Sequence, residues 1–239
     1  MKQRVSAAVR DMRFQWQMVK AGILGWGEPP WPEFGQPFNG QRQRIRTVEA
    51  LVDAFSPDGF IETGTMFGHT TAYLAGFGKP VYTTEMKNLF VAIARFRLRG
   101  ADNAHVMRGH SARLLGLLVR ERPFKRPFAY LDAHWWGDIP LNAEIGHVFG
   151  AWDDAIIAID DFEVPGDHGY YHYAGEDFSL SLDALALPAG TRAAYPAAPS
   201  DEETGPRSGT VYLARGAAAG AALDAVIEAR LLRPEPEAA

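Results

Sequence analysis

Phe60-Ile-Glu-Thr-Gly-Thr-Met-Phe-Gly-His-Thr-Thr-Ala-Tyr-Leu-Ala75 reads as a strand running into a glycine turn and then a helix. Phe60 and Ile61 close an apolar run, Glu62-Thr63-Gly64-Thr65 makes the turn, and Gly68 opens the helix that Thr70 carries onward. Gly64 can take a backbone conformation closed to residues with a side chain. A unit of this kind leaves helix N-terminal amides facing a ligand at the carboxyl edge of a sheet. Glycine turns also join strands to helices for purely structural reasons, so the next unit of the chain matters.

That unit, Lys79 to Thr84, reads as a second short strand, and it ends in Glu85, 21 residues beyond Gly64. An acid about 20 residues past the turn, at the tip of the second strand, is positioned to accept hydrogen bonds from ribose hydroxyls. The competing assignment is a solvated loop carboxylate, or the N-cap region of a helix over Lys87 to Leu98. The turn is Glu-Thr-Gly-Thr-x-x-Gly, not the Gly-x-Gly-x-x-Gly of nicotinamide enzymes. A pyrophosphate needs closer backbone approach than it offers, and an adenosine ligand without phosphates fits better.

Outward from there the pattern alternates. Strand-like runs near 58–63, 80–84, 103–107, 127–132 and 154–160 are separated by helical patterns near 68–76, 87–99, 111–121 and 141–149. Such alternation predicts an α/β, doubly wound parallel sheet with helices on both faces. Residues 191–197 and 209–214 read as two closing strands around a polar loop, 200–208. The Ala-rich stretch 217–232 reads as a terminal helix and 233–239 as a frayed tail. Upstream, Ile45, Val48, Leu51 and Val52 mark one face of a helix over 43–55. Before it lies an aromatic Pro/Gly-rich loop, 25–40, too apolar to be a free linker and so expected to fold onto the domain. Residues 1–24 read as an amphipathic helix that packs on the core, on a partner subunit or over the ligand. The chain thus divides into 1–42 (lid or homo-oligomer contact), a main domain over 43–216, and a C-terminal helix and tail over 217–239.

With 239 residues and 47% hydrophobic content, the chain can build one large core. A net charge of −5 gives no electrostatic footprint for nucleic acid or an anionic membrane, and neither is expected as a partner. The basic residues Lys2, Arg4, Arg10 and Arg13 flank no long apolar run, which argues against a signal peptide and makes the cytoplasm the expected location. The absence of cysteine excludes disulfides, thiolate nucleophiles and zinc–thiolate sites.

Three carboxylates fall at strand ends. Asp132 closes Phe128-Ala129-Tyr130-Leu131, and Asp160-Asp161 closes Ala155 to Ile159. In a parallel sheet these ends converge on one crevice. Clustered carboxylates resist joint ionisation unless a cation is present, and a hard ion such as Mg²⁺ suits such oxygens. Taken singly, Asp132 also reads as a loop-start residue or a helix cap, and Asp160-Asp161 as a turn. His134, in Ala133-His134-Trp135-Trp136, carries an imidazole able to take a proton near neutral pH. The loop Phe162 to Tyr173 adds His168, Tyr171 and His172, and with Trp135 it is a candidate substrate-binding lid or simply a long surface loop.

Together these residues resemble class I S-adenosylmethionine-dependent methyltransferases over about residues 43–214. The resemblance implies a Rossmann-like, mostly parallel seven-stranded sheet. It implies S-adenosylmethionine held by the turn (Glu62, Thr63, Gly64, Thr65, Gly68, His69, Thr70), with Glu85 on the ribose. Gly109-His110-Ser111 would flank the adenine, and Asp132 would complete the cofactor contacts. The family commonly has Asp where His110 stands. Leu131-Asp132-Ala133-His134 with Ile159-Asp160-Asp161-Phe162 is similar to Mg²⁺-dependent small-molecule O-methyltransferases, the macrocin O-methyltransferase and cephalosporin-hydroxylase-like groups. That likeness implies Mg²⁺ on Asp132, Asp160 and Asp161, with a hydroxyl of a sugar, phenol or other natural-product-like small molecule as acceptor. His134 stands where the relatives have the second acid of Asp-x-Asp, their proposed general base; catalysis would then fall to His134 and Asp132. The alternatives are a metal-dependent hydrolase or oxygenase, and a non-catalytic nucleotide-binding module. The latter would leave three carboxylates without counter-charge.

Overall fold

The computed structural model describes residues 35–133, 140–175 and 179–236. The strands are β1 (Gly59–Thr63), β2 (Val81–Glu85), β3 (Ala104–Arg108), β4 (Pro127–Leu131), β5 (Ala155–Asp160), β6 (Arg192–Pro196), β7 (Thr210–Arg215) and β8 (Leu232–Pro234). The helices are α1 (Arg42–Phe55), α2 (His69–Ala75), α3 (Asn88–Arg97), α4 (Ser111–Glu121), α5 (Leu141–Ala151) and α6 (Ala217–Glu228). A helix follows each of β1 to β4, returning the chain so that β1 to β5 pair in parallel. The strand order is β3-β2-β1-β4-β5-β7-β6-β8. It reverses between β1 and β4, which is where ligands lodge in open α/β sheets.

The closing pair expected over 191–197 and 209–214 is β6 and β7, antiparallel to each other, with β7 antiparallel to β5. Among the described residues the sheet has eight strands, not seven. The terminal helix expected over 217–232 stops at Glu228, and its last expected residue, Leu232, joins the first two of the expected tail in β8, where Arg233 lies opposite Tyr195 and Leu232 is buried. A three-residue strand is too short for any periodicity to announce it.

Both faces of the sheet are covered. Ile61, Ala129, Leu131, Ile157, Ile159 and Val211 pack under Leu114 and Leu118 of α4 and Ile145 and Val148 of α5. The alternate residues Phe60, Phe128, Tyr130, Ile156, Ala158 and Tyr212 pack under Val48, Leu51 and Phe55 of α1, Leu74 of α2, and Leu223 and Val226 of α6. Buried side chains of this size contribute about 1.5–3 kcal/mol each. Phe38 is buried edge-on against Tyr73 and Tyr130, and its amide donates to Thr70 Oγ1 (2.9 Å), so the end of the aromatic loop does fold onto the domain. The amphipathic helix expected over 1–24, and the loop up to residue 34, lie outside the described residues. Among the described residues no helix is long and apolar enough to cross a membrane.

Candidate functional site

The carboxyl ends of β1 to β4 are laced into one edge. Gly64 has φ +90°, and a Cβ there would lie 2.3 Å from the Asp132 carbonyl oxygen, so the turn after β1 approaches the end of β4 as only glycine permits. The amides of Gly64 and Thr65 each donate to Thr84 O (3.1 Å), and Asp132 N donates to Thr63 O (3.0 Å). On the other side Gly109 N donates to Glu85 O (3.0 Å), while Thr84 Oγ1 donates to Gly109 O (2.8 Å). These bonds bring the glycine turn, Glu85, Gly109-His110-Ser111 and Asp132 to one edge.

Glu85 stands half-exposed at the tip of β2. Its Oε2 accepts from Met66 N (2.9 Å) in the glycine turn and its Oε1 from Lys87 N (2.9 Å). It therefore ties the glycine turn to the start of the chain leading into α3. Each carboxylate oxygen keeps a second lone pair, so the same group can also accept from a ligand hydroxyl. The next residue, Met86, is 63% exposed, an apolar side chain bordering the same edge.

Several other turn residues face inward. Glu62 is buried, and its Oε2 accepts from the hydroxyls of Thr71 and Thr83, tying β1 to α2 and β2. Burial pushes its carboxyl up to about 7, against the pull of those hydroxyls. Expected as a cofactor contact, its carboxylate is engaged within the fold by Thr71 and Thr83. Thr65 Oγ1 pairs with Thr83 Oγ1 (2.5 Å), Thr63 Oγ1 accepts from Asp132 N (3.2 Å), and Thr70 holds Phe38. Gly68 is the N-cap of α2, with φ +77°. His69 is lowered to about 4 by burial and by the nearby Arg97, which keeps the ring neutral. His110 is the N-cap of α4, its Nδ1 accepting from Ala112 N (3.2 Å), and Ser111 is buried. What this edge offers a ligand is chiefly backbone, Glu85 and Asp132.

The acidic constellation needs a larger correction. Strand residues alternate faces, so Asp160 falls on the face of Tyr130 and Ala158, beneath α1, where Arg44 stands. Arg44 Nη1 lies 2.5 Å from Asp160 Oδ1 and donates to Tyr130 OH (2.9 Å), while Nη2 donates to Ser208 O (2.7 Å). Asp160 Oδ1 also accepts from Asp161 N (2.7 Å), and Oδ2 from Tyr130 OH (2.6 Å). Burial raises the Asp160 carboxyl against the pull of Arg44. Burial likewise opposes the Arg44 charge, but Asp160 and the facing tyrosines hold the guanidinium protonated above its ordinary value. Asp160 is thus one half of a buried ion pair. Among the described residues no three His, Asp or Glu side chains are grouped to hold a metal, and Asp160 is engaged by Arg44, so the expected Mg²⁺ on Asp132, Asp160 and Asp161 finds no support. Asp161 is buried with φ +50°, and Asp132 is half-buried. Reading for acids alone passes over Arg44, yet the sequence carries a signal for it: with Val48, Leu51, Val52 and Phe55 it lies on the apolar stripe of α1. A cation on such a stripe calls for a buried anion.

His134 and Trp135 lie outside the described residues. In the following loop Tyr173 N donates to Asp161 O (2.8 Å) and Tyr171 N to Arg207 O (2.8 Å), which carries Tyr171 and His172 past the acidic pair. His168 is exposed on a turn whose Asp167 carboxylate is held by Ser200.

The strand order is that of a Rossmann-like methyltransferase fold. Solved structures share it at low sequence identity. The O-methyltransferase from Bacillus cereus, in complex with SAH, is 18% identical, with a TM-score of 0.55 over 86% of this chain and 90% of that one. A cofactor-bound protein from MTB is 18% identical, with a TM-score of 0.54 over 82% and 94%. A putative O-methyltransferase from Klebsiella pneumoniae is 17% identical, with a TM-score of 0.53 over 86% and 100%. No protein-family model matches the chain. No curated protein matches it either.

Proposed function

We propose that this chain transfers a methyl group from S-adenosylmethionine to a hydroxyl of a small-molecule acceptor. The observation that carries this is the Glu85 carboxylate, bonded to the Met66 amide of the glycine turn at the reversal of strand order. Glu85 would accept from the ribose hydroxyls, Met86 would border the adenine, and the backbone of 64–68 and 109–111 would line the rest. S-adenosylmethionine supplies a methyl on a positively charged sulfur: as the acceptor O–C bond forms the S–C bond breaks, and the sulfur leaves neutral. The hydroxyl proton must go to a base, the role proposed for His134 with Asp132 beside it in sequence. No step is assigned to Mg²⁺.

Arg44 also alters the case against a non-catalytic nucleotide-binding module, because Asp160, one of the three acids, has its counter-charge there. The test must therefore read both binding and turnover. Titration calorimetry should give saturable S-adenosylmethionine binding, weakened by about 1.5–3 kcal/mol in Glu85→Ala, as for loss of a charge-assisted hydrogen bond. Incubation with sugar and phenol hydroxyl acceptors should release S-adenosylhomocysteine. Affinity unaltered by Glu85→Ala removes the ribose assignment; binding without turnover on any acceptor favours the module.

A further inference from the structure

The net charge of −5 is unevenly spread along the chain. From Thr63 to Arg120, the stretch that builds α2, β2, α3, β3 and most of α4, eight lysines and arginines stand against two acids, Glu85 and Asp102. Glu85 is held by the amides of Met66 and Lys87, and Asp102 stands in the turn between α3 and β3. The β3 end of the sheet is therefore basic, although the chain as a whole is acidic.

α3 lies at that end and is apolar on two sides. Phe90, Val91 and Ala94 form its buried side. Leu89, Ala92, Ile93 and Phe96, at i, i+3, i+4 and i+7, make a second apolar stripe. Leu89 is 53% and Phe96 69% exposed, and with Met86 they are three of the four large apolar side chains exposed among the described residues. A helix apolar all round is ordinarily buried all round, and this one is not.

Cations frame the open stripe. Arg95 turns to one side, its Nη2 donating to Val106 O of the edge strand β3 (3.0 Å), and Arg97 to the other, its Nε donating to Phe67 O (2.8 Å). Arg99 lies over the Phe96 ring, 4.3 Å from its centroid, and donates to Phe96 O (2.8 Å). All three are exposed, and among the described residues none makes an ion pair. A guanidinium has five N–H donors, so most of them remain for an anion.

The phosphates of a nucleic acid would answer the arginines but leave Leu89 and Phe96 in water. A second copy meeting this face about a twofold axis would set arginine against arginine. An anionic lipid surface answers both features, because the acyl boundary takes the apolar stripe while the arginine heads stay with the phosphates. We propose that the outer face of α3 seats this protein on an anionic lipid surface, lying on the bilayer without crossing it. The whole-chain charge, from which no membrane partner is expected, averages this face away. The inference does not rest on methyl transfer, so its test omits S-adenosylmethionine and the two readings fail separately.

The experiment is co-sedimentation of the full chain with vesicles of phosphatidylcholine alone and of phosphatidylcholine mixed with phosphatidylglycerol. The expected result is binding to the anionic vesicles, little to the neutral ones, and weaker binding in about 0.5 M salt, where charges are screened over a few ångströms. Leu89→Ser with Phe96→Ser should weaken it about tenfold or more, and Arg95→Gln with Arg99→Gln by about as much. These four side chains are exposed, and circular dichroism checks that the variants keep the fold. No binding to the anionic vesicles overturns the proposal, as does binding unchanged in the double serine variant. Binding of a single-stranded RNA oligonucleotide in place of vesicles overturns it in favour of nucleic acid. A dimer in size-exclusion chromatography that the double serine variant takes apart, with no vesicle binding, overturns it in favour of a second copy.

Discussion

Arg44 accounts for the placement of Asp160 more than any other side chain. A guanidinium at the head of α1 reaches across to the end of β5, so Asp160, Tyr130 and Arg44 form one buried network. Removing one partner of a buried pair leaves an uncompensated charge, which typically costs about 3–5 kcal/mol. Arg44→Met should therefore lose stability on that order in urea unfolding, and adding Asp160→Asn should recover part of it. A loss under about 1 kcal/mol would mean that the pair contributes little. Glu62 gives a pH dependence with a definite sign. Its folded-state carboxyl titrates near 7, above the ordinary 4.5. Between those values the unfolded chain releases the proton first, so the group's contribution falls as pH rises and is lost above about 7. Glu62→Gln removes the titration. Relative to wild type, the variant should gain stability between about pH 5 and pH 8, on the order of 2 kcal/mol, since each tenfold difference in proton affinity between folded and unfolded chain is worth about 1.4 kcal/mol. A stability difference flat across that range would show that Glu62 titrates normally.

The head of α1 shows how one element depends on another far away in sequence. Gln41 gives the helix no side-chain cap of its own. Glu203 supplies one from the β6–β7 loop, accepting from Gln43 N and Arg44 N with a negative charge at the positive end of the helix. Glu203→Ala should cost about 1–2 kcal/mol in thermal or urea unfolding. Glu203→Gln, which keeps the acceptor and loses the charge, should cost less; equal losses would assign the effect to packing. The same contrast separates what can be read in the sequence from what cannot. Elements set by their own residues are legible: the strand–turn–helix at Gly64, the alternation through β5, and the two closing strands. β8 is not, because three residues carry no period. Nor is the destination of Asp160, because strand alternation turns it off the crevice and onto α1. The acids do fall at strand ends, but which face each addresses depends on parity, and the partner that matters lies in a helix preceding β1.

The sheet as a whole has two parts with different duties. In the parallel half, from β3 to β5, the edge is made of turns and the half-exposed Glu85. In the antiparallel part, β7, β6 and β8 join α1 and α6 in a densely bonded frame that includes Gln41, Glu203 and Arg44. Local opening follows such differences, since segments with few buried contacts open at low free energy and slow most when a ligand engages them. Adding S-adenosylhomocysteine and following amide hydrogen exchange should therefore protect a restricted set of amides. Slowing is expected in 64–68, where Met66 N already bonds Glu85, in 85–87 and in 109–112. Little change is expected in β6 and β7, already paired with each other and with β8 and β5. Protection appearing mainly in 197–212 instead would move the adenosyl ligand to a cavity lined by Arg44. It would then be the parallel edge, and Glu85 with it, that lost its assignment.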